Sequence, residues 1–244
     1  MKILAMLITI CITCVSCHKK ENGNLAPNLV TNYTCNSSLI DKNNYSYFAT
    51  LGKAKVSSSF AFIPNGKVDS CIQLSDNAYI DCDDNLFSNY QSEYRNVRNF
   101  SVSFWCKIND MTGNIAQLYR SSINGADDDF NITIENDSLS IRCINLFKVG
   151  LFDPKYITKT IVFNKFDWNN IIIISNSTNY HVYLNGIKIF DYGRKITTTE
   201  SYLKRLIFGD SSTLNSLYLN VDDINIWNYP ITETDAINYY NSTK

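Results

Sequence analysis

The sequence predicts an all-β, two-sheet antiparallel sandwich that ends in a short C-terminal helix. Short apolar or alternating runs recur along the chain with polar breaks between them. In Phe100–Ile108, apolar residues alternate with serine, tryptophan and lysine, which is the period-two pattern of a strand. A helical pattern appears only after Thr232, where Asp235 stands at the third helical position of a capping box. Many strands without βα alternation favour a sandwich.

The other strands are predicted from similar local signals. Four consecutive isoleucines within Asn169–Ser175 indicate a strand that is buried on both faces. Asn185-Gly186, between two β-rich runs, is typical of a two-residue hairpin turn. Further strands are expected at Ser70–Leu74, Asn131–Ile134, Leu139–Ile144, Lys159–Phe163, Tyr180–Leu184, Ile187–Asp191, Leu206–Phe208 and Leu217–Trp227.

The amino terminus indicates export. Lys2 and the apolar run Ile3–Thr13 are typical of a signal peptide, and the run is too short to span a bilayer. The segment Cys14-Val15-Ser16-Cys17 resembles the bacterial lipobox, although that motif usually has Leu where Cys14 stands. We therefore expect a signal peptide over residues 1–16, a lipidated Cys17 with a polar tether over 17–28, and one domain over 29–244. The alternative is an ordinary secretory signal with chance cysteines.

The residue after Cys17 bears on the cellular location of the exported protein. It is not Asp, so the inner-membrane retention signal of enterobacterial lipoproteins is missing. We expect a protein that is lipid-anchored at the outer membrane or cell surface. The net charge of −1, with both signs interspersed, leaves no basic stripe and argues against nucleic acid as a partner.

Several segments, in order, resemble the laminin-G-like, concanavalin A-like jelly-roll family. Phe100-Ser101-Val102-Ser103-Phe104-Trp105 resembles its signature strand, and Val182-Tyr183-Leu184-Asn185-Gly186 resembles its hairpin. The other matching pieces are Gly66-Lys67-Val68, Cys71-Ile72-Gln73-Leu74, Tyr79-Ile80, Trp168-Asn169-Asn170, Leu206-Ile207-Phe208-Gly209, Val221–Trp227 and the Thr232–Tyr240 helix. The resemblance runs from about Leu29 to Asn241. It implies a jelly-roll fold and a role in binding glycans or proteins at cell surfaces.

Candidate catalytic groups are few. His181 is the sole histidine outside the tether and should point outward beside Tyr183, and no nucleophile-elbow pattern accompanies it. Glycosidases of concanavalin-like fold carry acid trios on one strand. Here Glu135-Asn136-Asp137 lacks the third acid and is typical of a hairpin turn. We expect no catalytic residues.

Asp222 is a candidate buried carboxylate. The apolar parity changes at Asp222-Asp223, which indicates a bulge and predicts that Asp222 points inward alongside Ile224 and Ile226. A buried carboxylate needs hydrogen-bond donors or a cation. Some members of the resembled family hold calcium, which implies a structural Ca²⁺ site at Asp222 and Asp41. The alternative is hydrogen bonding to backbone N–H groups of an adjoining loop.

Aromatic and cysteine residues complete the candidate list. Trp105 lies on the polar face of its strand and could stack on a sugar ring, unless a loop covers it. Tyr119, Trp168 and Tyr180 are further ligand-binding candidates. Among the five cysteines after Cys17, Cys71 and Cys106 occupy predicted core-facing positions and should be buried, since cysteine behaves as a small apolar residue.

Three functional hypotheses remain open from the sequence. The first is a non-catalytic, surface-tethered module that recognises glycan or a cell-surface or matrix partner. The second is a glycoside hydrolase or lyase of concanavalin-like fold, against which the missing acid trio argues. The third is a purely structural surface protein.

Overall fold

The fold is a two-sheet antiparallel sandwich with one helix at the carboxyl end. The computed structural model describes residues 29–40, 42, 49–53, 55–82, 99–110, 113–122, 125–135, 137–145, 155–176, 179–193, 203–209 and 217–244. Residues 1–28 and Asp41 lie outside the described residues, so the expected signal peptide, lipidated Cys17, polar tether and calcium ligand remain predictions. The predicted fold class is confirmed.

Eight strands form the first sheet, here called sheet I. Its order is β13-β12-β11-β6-β15-β4-β3, and β1 pairs with the second half of β15. The bounds are β1 Leu29–Tyr33, β3 Ser59–Pro64, β4 Ser70–Ser75, β6 Phe100–Asp110, β11 Asn169–Ser175, β12 Asn179–Leu184, β13 Ile187–Gly193 and β15 Tyr218–Trp227.

Seven strands form the second sheet, sheet II, in the order β10-β9-β8-β7-β14-β5-β2. The bounds are β2 Thr50–Lys53, β5 Ala78–Asp81, β7 Gly113–Ser122, β8 Gly125–Glu135, β9 Ser138–Asn145, β10 Lys155–Val162 and β14 Leu203–Gly209. Strands β1, β2, β3 and β7 were not predicted from the sequence. Strand β5 was not predicted as a separate strand either. The other predicted strands are observed with ends shifted by a few residues.

The core lies between the inner faces of the two sheets. Phe104 of β6 meets Phe208 of β14 edge to face, with 4.8 Å between ring centroids. All seven residues of β11 are buried, as its four isoleucines predicted. Isoleucine and phenylalanine at alternate strand positions therefore join the sheets, and burying each such side chain stabilises the fold by about 1.5–3 kcal/mol.

Helix α1 (Glu233–Thr243) packs on the outer face of sheet I. Thr232 Oγ1 accepts a hydrogen bond from Asp235 N, and Thr232 N donates to Asp235 Oδ2, so the predicted capping box is confirmed. Thr232 Oγ1 also donates to Asp235 Oδ2 at 2.7 Å, and this bond, together with the one from Thr232 N, lowers the pKa of the Asp235 carboxyl. Ala236 is fully buried in a second apolar cluster that includes Ile172 and Tyr183. Sheet I is consequently covered on both faces where the helix lies.

Two turns behave as the sequence predicts. Asn185 and Gly186 both have positive φ, as a hairpin of the primed type requires. A Cβ atom on Gly186 would come within 2.8 Å of the Tyr240 ring, so helix packing also excludes a side chain there. Asp137, with a φ of 62°, lies in the turn between β8 and β9.

The five cysteines of the described residues are all buried thiols, including Cys71 and Cys106. Cys106 faces the core, as predicted. Cys71 does not, because Ile72 and Leu74 take the core positions of β4 and Cys71 points to the opposite face. Burial raises the pKa of the Cys71 thiol to about 11. No helix in the described part of the chain is long and apolar enough to cross a membrane.

Candidate functional site

The predicted aromatic platform at Trp105 is wrong, because Trp105 is 2% exposed. Its side chain does lie on the outer face of sheet I, but the Tyr240 ring of α1 packs against it at 5.9 Å between centroids. Lys67 Nζ lies 4.4 Å from the centre of the indole ring. Trp105 is therefore covered by the helix and by the loop before β4, and it is not available to stack on a sugar.

The other aromatic candidates have different positions. Tyr180 faces the core, where its ring lies 5.0 Å from that of Phe130, so the ligand-binding prediction for Tyr180 is also wrong. Tyr180 and Val182 are two residues apart in β12, so both side chains point to the core-facing side of sheet I. Tyr119 lies within β7, and its side chain is outside the described set. Trp168 is half-buried at the end of the loop that precedes β11.

The bulge at Asp222 is confirmed, but the direction of the side chain is not. The pairing of β15 with β6 shifts between Asp222 and Asn225, and Asp222 stands opposite Trp105. Cross-strand partners share a face, so Asp222 points away from Ile224 and Ile226 toward the outer side of sheet I. The sequence parity failed because the bulge inserts an extra residue between the two apolar series.

Asp222 is nevertheless fully buried, beneath the loop that joins β3 to β4. Its Oδ2 accepts from Val68 N at 2.8 Å, and its Oδ1 accepts from Asp223 N at 2.8 Å. A Cβ atom on Gly66 would come within 2.8 Å of Oδ2, so glycine lets the loop approach the carboxylate. Burial raises the pKa of the Asp222 carboxyl to about 6, against the lowering effect of these backbone donors.

These surroundings do not fit a calcium ion at Asp222. Calcium takes six to eight oxygen ligands, whereas this carboxylate is met by N–H groups. No group of three or more His, Cys, Asp or Glu that could hold a metal occurs among the described residues. Asp41 lies outside them, and the calcium prediction stays untested.

His181 lies on the outer face of sheet I, as predicted, and is half-buried. Its Nδ1 is 3.3 Å from Asp191 Oδ1 on β13, and its Nε2 is 3.5 Å from the Asn176 amide nitrogen. The side chain thus ties β12 to its neighbours. None of these contacts involves a nucleophilic hydroxyl or thiol.

Glu135 and Asp137, the two described acids at the β8–β9 turn, have different surroundings. Glu135 is exposed at the end of β8, whereas Asp137 Oδ1 lies 2.6 Å from Lys165 Nζ. Phe163 N also donates to the carbonyl oxygen of Asp137. The turn therefore anchors the loop of residues 163–168, which we call the 163–168 loop.

Among the described residues, the outer face of sheet II over β8, β9 and β10 carries exposed and partly exposed polar side chains. The side chains that alternate away from the core there define what we call the open face: Thr133, Glu135, Ser138, Ser140, Arg142, Thr158, Thr160 and Val162. Ser140 stands opposite both Thr133 and Thr160, and its Oγ lies 3.3 Å from Thr160 Oγ1. The result is a row of hydroxyls across three strands, with Val162 88% exposed at its margin.

The 163–168 loop continues directly from Val162 and is held by hydrogen bonds to its backbone carbonyl oxygens. Ile108 N donates to Lys165 O at 2.8 Å. Asn169 Nδ2 donates to the carbonyl oxygens of Asn164 and Asp167 at 2.8 and 2.7 Å. Phe166 is 58% exposed at the tip of this fixed loop.

Sequence reasoning missed Phe166 and the open face. A single phenylalanine between Lys165 and Asp167 belongs to no periodic pattern that would predict its exposure. The serines and threonines of β8–β10 alternate with apolar residues as in any half-buried strand. Their exposure became visible only when the neighbouring strands and the covering elements were placed.

Comparison with solved structures shows similarity to receptor-binding domains of botulinum neurotoxins. A structure concerning type C, whose cell entry depends on two ganglioside molecules, is 17% identical with a TM-score of 0.61 and covers 90% of this chain and 51% of that chain. The binding domain of neurotoxin DC in complex with rat synaptotagmin II is 18% identical with a TM-score of 0.58, covering 89% and 52%. This chain spans about half the length of these neighbours, and the likeness shows the fold alone.

Comparison of sequences gives the family. None of the curated proteins matches this chain. The Laminin_G_3 model, described as the concanavalin A-like lectin/glucanases superfamily, matches residues 75–236, which run from the end of β4 into α1. The chain therefore belongs to the Laminin_G_3 family of the concanavalin A-like lectins and glucanases.

Proposed function

We propose that this domain is a non-catalytic recognition module that binds glycan through the open face and the 163–168 loop. The observation that carries the proposal is the partly exposed hydroxyl row of β8–β10, with exposed Val162 at its margin and the loop that carries Phe166 continuing directly from Val162. Sugars present hydroxyl groups together with apolar C–H surface. A face that offers both kinds of contact suits them.

The polar half of this surface can exchange hydrogen bonds with a sugar. Serine and threonine hydroxyls both donate and accept, and the Arg142 guanidinium donates. Each such bond replaces a bond to water and contributes only about 0.5–1.5 kcal/mol. We therefore expect modest affinity for a single domain, strengthened when many copies act on one surface.

The loop supports recognition because its conformation is already fixed. The carbonyl oxygens of Asn164, Lys165 and Asp167 are all held by hydrogen bonds from within the sandwich. Binding at Phe166 therefore orders little backbone, and the entropic cost of association is smaller. An aromatic ring that is 58% exposed on a fixed loop is a natural contact for an apolar sugar face.

The described acids and histidine support a binding role over catalysis. Asp137 is engaged by Lys165, which leaves Glu135 as the one described carboxylate of the open face. A glycosidase needs two carboxyl groups about 5–9.5 Å apart around the scissile bond. His181 lies on the other sheet and contacts Asn176 and Asp191.

The structural neighbours agree with this class of function. They are receptor-binding domains, and their partners include gangliosides and synaptotagmin. A ganglioside headgroup is a glycan and synaptotagmin is a protein, so both kinds of partner occur among relatives by fold. We take glycan as the proposal and a protein partner as an outcome of the test.

The proposal includes a lipid anchor at Cys17, which would place the domain at the outer membrane or cell surface. Its support is the apolar run Ile3–Thr13 followed by Val15-Ser16-Cys17. We expect intact-mass measurement of membrane-extracted protein to show an acylated amino terminus that begins at Cys17. Release of an unacylated protein into the medium would contradict the anchor without affecting the binding proposal.

A glycan array probed with the domain of residues 29–244, followed by affinity electrophoresis in the best polysaccharide, tests the function. We expect retardation of the wild-type domain and about a tenfold weaker affinity for Phe166→Ala, which corresponds to about 1.4 kcal/mol. Val56→Ala is the matched control, because Val56 is exposed but lies between β2 and β3.

The same experiment separates the competing functions. New reducing ends that vanish in Glu135→Gln would replace the proposal with an enzyme. The absence of both retardation and turnover would shift the function to a protein partner or a structural role. Retardation that Phe166→Ala leaves unchanged would move the site away from the loop.

A further inference from the structure

Exposed apolar side chains are concentrated at one corner of the sandwich. In the described part of the chain, the large apolar side chains that are more than half exposed are Val56, Val162, Phe166 and Ile187. The last three lie where β10 leads into the 163–168 loop and where the β12–β13 turn runs beside that loop, and we call them the apolar corner. A single exposed apolar residue is ordinary, whereas a local group of them indicates a contact surface.

Asparagine side chains hold the two loops of the apolar corner together. Asn169 donates through Nδ2 to carbonyl oxygens of the 163–168 loop and accepts through Oδ1 from Asn185 Nδ2 at 2.9 Å. Asn185 Oδ1 in turn accepts from Asn170 N at 2.9 Å, and Asn185 N donates to Asn170 O. The β12–β13 turn, and Ile187 with it, is therefore fixed beside the 163–168 loop.

The backbone of the 163–168 loop is suited to an apolar medium. The carbonyl oxygens of Asn164, Lys165 and Asp167 already accept hydrogen bonds from within the sandwich. A backbone group that keeps its partner enters a lipid interface without losing a hydrogen bond, whereas an unpaired group is strongly disfavoured there. The tip of this loop can therefore leave water at little cost.

Two lysines that adjoin the apolar corner have their charges matched by acids. Lys165 Nζ lies 2.6 Å from Asp137 Oδ1, and Lys188 Nζ lies 3.0 Å from Glu233 Oε2. Lysine side chains also lie along apolar surfaces while their amino groups stay in water. These pairs add no net charge, so contact at the corner depends on apolar burial and not on attraction to an anionic partner.

We propose that the apolar corner is a membrane-contacting surface whose three side chains enter the interfacial region of a lipid bilayer. The area available favours a bilayer over a protein partner. A stable protein interface buries about 800 Å² on each side, and three protruding side chains among polar neighbours offer much less. A bilayer needs no complementary surface, and its binding grows with the apolar area that is buried.

Bilayer contact goes beyond glycan recognition, although the two surfaces adjoin. Val162 and Phe166 also border the open face, whereas Ile187 belongs to the other sheet. A glycan held along the open face would lie beside the lipid headgroups, so the two contacts do not exclude each other. The lipid anchor proposed at Cys17 would keep the corner near a bilayer, and this one argument rests on that proposal.

Flotation with phosphatidylcholine vesicles tests the contact. The domain of residues 29–244 is used, because it contains every described strand and helix and lacks the apolar run Ile3–Thr13, which would itself bind lipid. We expect the wild-type domain to float with the vesicles at low and at high salt, and Ile187→Asn to lower its partition coefficient about tenfold. Val56→Asn is the matched control, because it makes an equivalent change at a fully exposed position outside the corner.

A polarity-sensitive fluorophore identifies the residues that enter the bilayer. The five native cysteines of residues 29–244 are buried, so a thiol reagent labels an introduced surface cysteine selectively. We expect the emission of a label on Ile187→Cys or Phe166→Cys to shift to the blue when vesicles are added. A label on Val56→Cys should show no shift.

Three results would overturn the proposal. The first is a wild-type domain that does not float at any lipid concentration, which would leave the corner to a protein partner. The second is flotation that requires anionic lipid and disappears in salt, because the contact would then be electrostatic. The third is an equal loss in Val56→Asn and Ile187→Asn.

Glycan binding is judged separately from bilayer contact. Ile187→Asn should leave the retardation by polysaccharide in the affinity gel unchanged, because Ile187 lies outside the open face and the 163–168 loop. A domain that polysaccharide retards but vesicles do not bind would refute the bilayer contact and leave the glycan proposal standing.

Discussion

The two outer faces of the sandwich have similar alternating sequences but opposite environments. On sheet I, Ser101, Ser103 and Trp105 alternate with apolar residues of β6 and are all buried under α1 and its preceding segment. On sheet II, Thr158 and Thr160 of β10 occupy equivalent alternate positions and are exposed. The alternation of a strand therefore fixes which residues share a face. What covers that face is decided by other elements.

The polar side chains on the outer face of sheet I form hydrogen bonds with α1 and with the segment that precedes it. Ser101 Oγ donates to Tyr229 O and accepts from Ile231 N, both at 2.9 Å. Tyr239 OH donates to Asp223 Oδ2 at 2.6 Å and accepts from Asn225 Nδ2 at 2.7 Å. Helix α1 is thus bound to sheet I by specific hydrogen bonds as well as by apolar contacts. The open face of sheet II has no described counterpart.

The sharpest test of the comparison is one acidic substitution on each face. Ala236→Asp places a carboxylate in the fully buried contact between α1 and sheet I. A buried, unpaired charge is strongly unfavourable, so we expect the free energy of unfolding to fall by about 3–5 kcal/mol. Thr160→Asp, on the open face, should change it by less than about 0.5 kcal/mol. Urea unfolding followed by tryptophan fluorescence measures both.

Equal effects of the two substitutions would break the comparison. A stable Ala236→Asp protein would mean that α1 leaves sheet I in solution, and a strongly destabilised Thr160→Asp would mean that the open face is covered.

The next largest expected effect is a pH dependence of the free energy of unfolding, caused by Asp222. Its folded-state pKa of about 6 lies above the ordinary value of 3.8, mainly because of burial. The folded protein therefore binds this proton more tightly than the unfolded chain does. The stability that this group contributes is present below about pH 4 and is lost as the pH rises to about 6. Allowing for residual solvent screening, we expect a loss on the order of 2 kcal/mol.

The measurement is the difference in free energy of unfolding between wild type and Asp222→Asn from pH 4 to pH 7. That difference should change between about pH 4 and about pH 6 and then stay constant up to pH 7. A flat difference for Asp222→Asn would mean that the carboxylate is not buried.

A smaller effect is expected from the hydroxyl that joins α1 to β15. Tyr239→Phe leaves the Asp223 carboxylate and the Asn225 amide each without one partner. We expect a loss of about 1–2 kcal/mol in thermal unfolding. Tyr218→Phe, at a partly exposed position of the same strand, should cost nothing measurable. Equal melting temperatures for Tyr239→Phe and wild type would show that water replaces the hydroxyl.

The smallest effect is expected from metal removal. Because Asp222 accepts hydrogen bonds from backbone N–H groups, we expect excess EDTA to leave the melting temperature unchanged. A fall that added calcium reverses would restore the site predicted at Asp222 and Asp41, since a bound cation stabilises the folded state.

Local patterns in the sequence predicted the elements that depend on local chemistry. Thr232 with Asp235 predicted the start of α1, and Asn185-Gly186 predicted the β12–β13 turn, because caps and tight turns involve neighbouring residues. The isoleucine run predicted a fully buried β11. Strand β2 was missed because it is only four residues long and contains Gly52, so its pattern is too weak to detect.

The candidate site could not be predicted because exposure is a tertiary property. Trp105 is predicted as a ligand contact because it lies on the polar face of its strand, and Tyr180 is a further aromatic candidate. One is covered by Tyr240 of α1, more than 130 residues away along the chain, and the other points into the core. Asp222 is predicted on the wrong face because it is given the parity of Ile224 and Ile226, whereas the register shift with β6 comes after Asp222. The resemblance to a known family predicted the fold, but it did not predict the direction or exposure of these side chains.

The position of α1 in the chain bears on how the protein matures. Because α1 follows every described strand, the outer face of sheet I meets water until residues beyond Thr232 have been synthesised and released. An apolar surface would be prone to aggregate during that interval. Serine at positions 101 and 103 and asparagine at 170 and 225 make the face polar, and Ser101 and Asn225 then bind the helix and its leading segment. These two polar residues of sheet I thus serve the nascent chain before they serve the finished fold.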